Sequence, residues 1–151
     1  MSIMSSGGPV HAHAPELVQE LLSLNEVAEA TCSGPEMDLC KLRMRQMHGA
    51  DLGEAAPDGV SPEKAAALSE WWESDLFSDH ERACLHLTEQ FVLAVSAVRQ
   101  EDIDALMPTW SDDEIYDFVM ALYVADMSSR ADLVLASVFD DAALSTRPQG
   151  D

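Results

Sequence analysis

From Pro15 onward the chain alternates apolar and polar residues at helical spacing. In PELVQELLSLNEVAEA, Leu17, Leu21, Leu24, Val27 and Ala28 recur at intervals of three, four and one, and Pro15 takes a first-turn position. TCSG breaks the pattern. Pro35 opens a second helix, PEMDLCKLRMRQMH, which Gly49 ends. After the loop GADLGEAAPDGV, Ser61-Pro62-Glu63 starts a third helix, predicted to run to about Trp72. Ser78-Asp79-His80-Glu81 reads as a capping box that opens a fourth helix. Its predicted apolar face is Cys84, Leu87, Phe91, Ala94, Val95 and Val98. A short helical turn is expected from Glu101 to Met107, ended by Pro108. A second capping box, Ser111-Asp112-Asp113-Glu114, opens a long last helix to about Phe139. No stretch reads as a strand and none repeats. The pattern predicts an all-α, single-domain helical bundle over residues 15–140, with flexible tails at 1–14 and 141–151.

Composition narrows the function classes. The chain has 151 residues, one domain's worth, and 47% of them are hydrophobic, enough for a sizeable core. With 28 Asp+Glu against 8 Lys+Arg, the net charge is −20. That charge repels phosphate backbones and anionic lipid, so nucleic acid and membrane are not expected partners. The acids are scattered and form a solvated surface. No apolar run spans a bilayer, and the N-terminal stretch lacks the basic start and apolar core of a secretory signal, so a cytoplasmic protein is expected. The three cysteines, Cys32, Cys40 and Cys84, have no C-x-x-C pair and make no disulfide framework. Cys40 and Cys84 fall in apolar helical contexts, as small core residues do. His11 and His13 are two histidines in the tail, too few for a metal site. No ligand cluster has metal spacing, and no cofactor is expected.

Three stretches carry a resemblance: MDLCKLRMRQMHG, FSDHERACLHLTE and WSDDEIYDFVMALYVADMSSRADL. In this order and at these distances they resemble the carboxymuconolactone decarboxylase superfamily, in particular its alkylhydroperoxidase D-like branch, over residues 15–139. The resemblance implies that branch's helical bundle and a homo-oligomer, a trimer or hexamer. Redox-active members carry C-x-x-C just after the helix-ending glycine and a histidine four residues further on, with an acid on the preceding helix relaying protons. Carried over, the cysteines fall at Ala50 and Gly53, the histidine at Pro57 and the acid at Asp38. Methyl, hydrogen and a pyrrolidine ring supply no thiolate, so the C-x-x-C…His redox motif is lost.

The remaining polar residues suggest a replacement chemistry. Asp38 is either a buried acid–base group or a first-turn acid favoured by the helix dipole. His48 is either a general base or a polar residue at a helix C-terminus. Asp126 interrupts the stripe Ile115, Phe118, Val119, Leu122, Ser129 and Leu133. An unpaired charge there is expensive, and Arg130 at i+4 can pair with it; the alternative is a catalytic or ligand-binding role. The resemblance places the family's site-lining Asn and Arg at these two positions. His80 and Cys84, at i and i+4, lack a third ligand, and His80 lies within a capping box. His86 points away from the apolar face. Trp71 and Trp72 are adjacent, so one of them faces outward to an interface or pocket wall.

The resulting expectation is a cysteine-independent enzyme acting on a small organic acid or polyketide-like substrate by proton transfer: decarboxylation, isomerisation or cyclisation. Such a role suits a specialised-metabolite pathway. Asp38, His48 and Asp126 would share the acid–base roles. Arg130 would orient a carboxylate or carbonyl, and Trp72, Ala50 and Gly53 would line the pocket. The alternative is a non-enzymatic ligand-binding or assembly protein. A peroxidase using Cys40 or Cys84 is disfavoured, since neither has a resolving partner nearby in sequence.

Overall fold

The computed structural model describes residues 12, 14–50, 52, 56 and 58–138, and those residues form helices and turns without a strand. Most of the first predicted tail, all of the second, His11, His13, Gly53 and Pro57 lie outside the described residues. The elements are α1 (Pro15–Thr31), α2 (Pro35–Met47), α3 (Pro62–Ala67), α4 (Asp79–Ala94), α5 (Gln100–Asp104) and α6 (Asp112–Val138). Short 3₁₀ turns cover Leu68–Glu73 and Val95–Ala97. None of the described helices is long and apolar enough to cross a membrane.

The predicted boundaries are set by the expected residues. Prolines stand in the first turns of α1, α2 and α3, where their missing N–H costs nothing. At the start of α4, Ser78 Oγ accepts from the Glu81 N–H, and Glu81 Oε2 accepts from the Ser78 N–H at 2.8 Å. The same reciprocal bonds join Ser111 and Glu114 before α6. The end of α2 is a Schellman motif. Gly49 adopts φ +75°, its N–H bonds to Gln46 O, and the Ala50 N–H reaches back to Arg45 O, both at 3.0 Å.

Helix α2 sits at the centre, packed against α4 and α6, while α1 lies along α6. Met37, Leu39, Cys40, Leu42 and Met44 of α2 meet Leu85 and Leu87 of α4 and Phe118 and Leu122 of α6 in one core. Leu68, Trp71, Phe77 and Leu106 close its ends. A separate small core sets Val18, Leu21 and Leu22 against Ala131 and Leu135.

The structure departs from the sequence pattern in four places, the first being the short helix before Pro108, which spans Gln100–Asp104 instead of reaching Met107. Leu17, Leu24 and Val27 of the predicted α1 stripe are exposed. The packed face is turned toward Val18, Leu21, Leu22 and Asn25, and Ser128 Oγ on α6 donates to Asn25 Oδ1. The third helix stops at Ala67 and becomes a 3₁₀ turn with a non-helical Glu70 (φ −128°, ψ 38°). Helix α4 ends at Ala94, so Val95 is exposed instead of continuing the apolar face.

Burial pushes the Glu81 carboxyl up, but hydrogen bonds from the Lys64 ammonium and the Ser78 N–H outweigh it and hold the carboxyl below its ordinary value. The stabilisation is therefore present above the unfolded pKa of about 4.3 and is lost as pH falls through the lower folded value. Thermal melts of Glu81→Gln should show a lower Tm at pH 7, with the gap to wild type closing as the pH is taken down to about 3. Ser78→Ala should cost about 1 kcal/mol of stability, the usual worth of a helix cap.

Candidate functional site

The Schellman turn leaves His48 as the last residue before the chain turns away from α2, with its side chain directed onto α6. The imidazole is largely buried, its side chain 7% exposed. His48 Nδ1 lies 2.9 Å from Ser129 Oγ, and Nε2 lies 3.0 Å from Asp126 Oδ1. The second contact is an ion-pair contact in which the carboxylate oxygen lies off the line of the ring N–H, leaving Nε2 without an aligned hydrogen bond. Asp126 and Ser129 are three residues apart on α6, so one face presents both to the ring.

Asp126 is braced in turn. Arg130 Nε lies 2.9 Å from both of its oxygens, and an Arg130 Nη donates to Val92 O on α4 at 3.2 Å. Arg130 keeps about half its surface open (side chain 51% exposed). The cluster thus joins the end of α2, the middle of α6 and a carbonyl of α4. A neutral ring with its proton on Nε2 faces Asp126 and accepts from the Ser129 hydroxyl at Nδ1.

Asp38 is not brought into this cluster. Ten residues of helix separate it from His48, a rise of roughly 15 Å. Its carboxylate instead packs under the 58–60 turn, where Gly59 adopts φ +90° and a Cβ on Gly59 would lie 2.2 Å from Asp38 Oδ2. Trp71 is the buried member of the tryptophan pair. Trp72 is exposed and meets Trp71 edge-on at 5.9 Å. Ala50, half-buried, directly follows the Schellman glycine and lies two residues from His48. His86 is exposed, as its spacing predicts, and pairs with Asp102 at 3.1 Å.

The pattern along the chain missed two groups. Ser129 was assigned only to the α6 face, because its partner His48 lies 81 residues away. Glu89 was not singled out. Its Oε1 accepts from Arg43 Nε at 2.7 Å and from Trp71 Nε1 at 2.8 Å, tying α2, the 68–73 turn and α4 together. A charge four residues after the buried Leu85, on the packed side of α4, was the available signal.

The thiols lie in the core. Cys40 and Cys84 are buried, and burial pushes the Cys40 thiol up to about 12, although a hydrogen bond with Thr88 pulls the other way. Burial, then nearby Cys40 and Glu36, also raise the Cys84 thiol. His80 Nε2 lies 3.8 Å from Cys84 Sγ, and its ring stands edge-on to Trp110 at 4.3 Å. Among the described residues, no group of three His, Cys, Asp or Glu could hold a metal ion. Native labelling with an aromatic disulfide at pH 8 should modify the half-buried Cys32 first. Cys40 and Cys84 should react only on unfolding, and fast native reaction of either would contradict their placement.

No protein-family model matches the sequence, and no curated protein matches it. A solved structure does. A crystal structure of a protein of unknown function from Agrobacterium tumefaciens, with a suggested antioxidant-defence role as AhpD, aligns with a TM-score of 0.74 at 20% identity, covering 91% of this chain and 97% of that one. At that identity the likeness concerns architecture and not activity. The chain therefore has an all-α, alkylhydroperoxidase D-like (AhpD-like) fold.

Proposed function

We propose that this chain is a cysteine-independent member of the carboxymuconolactone decarboxylase superfamily: a small-molecule enzyme that moves a proton on an organic acid in a decarboxylation, isomerisation or cyclisation. One observation carries the proposal. The largely buried His48 ring is held between a hydroxyl, Ser129, and a carboxylate, Asp126, which is itself braced by Arg130. A base oriented by an acid, with a hydroxyl on its other nitrogen, is the arrangement that general acid–base chemistry needs.

The geometry supports the following proton path. Ser129 passes its hydroxyl proton to His48 Nδ1 as it takes a proton from an acidic C–H or O–H of the substrate. The imidazolium that forms is stabilised by Asp126 and the carbonyl end of α2. The substrate is left with the electron pair, and the half-open Arg130 guanidinium is placed to hold its carboxylate or oxyanion. Returning the proton through the same relay to a different atom of the delocalised anion completes an isomerisation, and returning it to the carbanion left by loss of CO₂ completes a decarboxylation. Asp38 and Trp72 stand outside this path. The positions where the redox relatives keep their cysteines hold Ala50 and Gly53, and the buried Cys40 and Cys84 are kept as neutral thiols, which supports chemistry without a thiolate.

A second reading is a ligand-binding or assembly protein. It is favoured by Arg130, which spends hydrogen bonds on both Asp126 oxygens and on Val92 O, as a structural clamp would. The two readings separate on a panel of small 2-oxo and 3-oxo acids, followed by NMR for solvent-deuterium exchange at the acidic carbon and for CO₂ release. The enzyme reading predicts catalysis by wild type. It predicts a loss of about 10²–10⁴-fold in His48→Gln at unchanged secondary structure, and a smaller loss in Asp126→Asn. Catalysis that survives His48→Gln, or wild type without any exchange or decarboxylation, favours the second reading.

A further inference from the structure

Hydroxyls inside a helix commonly turn back on a carbonyl of the preceding turn. Thr31 donates to Val27 O and Thr88 to Cys84 O, each at 2.8 Å, and Ser137 donates to Val134 O at 2.7 Å. Ser129, in the interior of α6, is directed elsewhere: its Oγ lies 2.9 Å from His48 Nδ1. On the other side of the ring, Asp126 Oδ1 lies 3.0 Å from Nε2. A hydroxyl, an imidazole and a carboxylate thus stand in a row with the ring in the middle. That constellation turns an unreactive alcohol into a nucleophile, and it is recognised by geometry and not by order along the chain. Ser129 is half-buried and is followed along the helix by the half-open Arg130.

We propose that Ser129 is a nucleophile and that the cluster has a second activity, hydrolysis of activated acyl esters through an acyl-Ser129 intermediate. The inference rests on the reading of this cluster as a catalytic site and adds covalent chemistry to it. Ser129 Oγ attacks the acyl carbon while its proton moves to His48 Nδ1, and the carbonyl electron pair moves onto oxygen. Arg130 keeps the part already given to it and holds that oxyanion. The bond to the leaving group then breaks, and the leaving oxygen or sulfur takes the proton from Nδ1. Water repeats the sequence. It gives a proton to Nδ1 and its hydroxide to the acyl carbon. The Ser129 oxygen leaves with the proton, and the free acid departs. Asp126 holds the ring in the orientation that both halves need. The fold sets the substrate class. Backbone N–H groups inside α6 are spent on carbonyls four residues back, so the helix offers no backbone donor beside Ser129, and a guanidinium carries the oxyanion. That suits acyl groups on a stable leaving group, a phenol, an enol or a thiol, and not amides.

The experiment treats the full chain with p-nitrophenyl acetate. Stopped-flow absorbance should show a burst approaching one p-nitrophenolate per chain. Mass spectrometry of the acid-quenched, digested protein should place acetyl on Ser129. Ser129→Ala and His48→Gln, each with wild-type circular dichroism, should lose the burst and slow turnover by about 100-fold or more. Ser129→Cys should recover acylation as a thioester, which a purely structural hydroxyl gives no reason to expect. A burst that survives Ser129→Ala, acetyl confined to other residues, or a wild type without acylation overturns the proposal. The site of acetylation in wild type does not depend on whether the variants fold. The oxo-acid panel keeps this failure apart from failure of the proton-transfer reading: a wild type that exchanges or decarboxylates but is not acylated overturns the nucleophile alone, and one that does none of these overturns both.

Discussion

Helix α2 is enclosed on two sides, and this constraint organises the rest of the molecule. Burying one helix between α4 and α6 yields a dense core, but it forces the polar side chains along α2 to find partners inside the protein. Three of them reach three different elements. Arg43 meets Glu89 on α4, which also holds the Trp71 indole and so fixes the 68–73 turn. Asp38 packs under the 58–60 turn, and His48 reaches Asp126 and Ser129 on α6. Other polar contacts join elements without α2, such as Ser128 with Asn25 and Arg130 with Val92 O.

The same constraint gives the candidate site its character. Imidazole at a helix terminus on the surface would be surrounded by water and free to rotate. Here the Schellman turn removes the chain just past His48, and the ring is pressed onto a helix that supplies both a hydroxyl and a carboxylate. The Nε2 contact is close but poorly aligned. Arg130 holds both Asp126 oxygens through Nε and leaves about half its own surface facing outward. A base, its orienting acid and an anion-binding group thus come from two helices.

The parts of this structure that are legible along the chain are those decided by neighbours in sequence. The capping boxes at Ser78 and Ser111, the proline starts and the Gly49 stop are local chemistry, and each lies where the pattern puts it. Asp126 is legible as a charge in an apolar stripe, with Arg130 one turn on. What the pattern misplaces depends on distant partners. The packed face of α1 includes the polar Asn25 because Ser128 is there to bond it, so hydrophobicity alone chooses Leu17 and Leu24 wrongly. Asp38 and His48 look like companions on one helix, but ten residues of rise separate them and each faces a different neighbour. Glu89 and Ser129 carry no local mark, because their roles exist only once α2 is in place.

The close approach of Gly59 to the Asp38 carboxylate has a consequence for how such a chain can change. The left-handed backbone at position 59 strains any side chain whatever the space, and a Cβ there would also push the Asp38 carboxylate aside. Position 38 is under no reciprocal restriction, since a smaller residue there leaves the glycine undisturbed. The pair is therefore one-sided: position 38 can vary in size while position 59 stays glycine, because shrinking residue 38 does not relieve the backbone at 59.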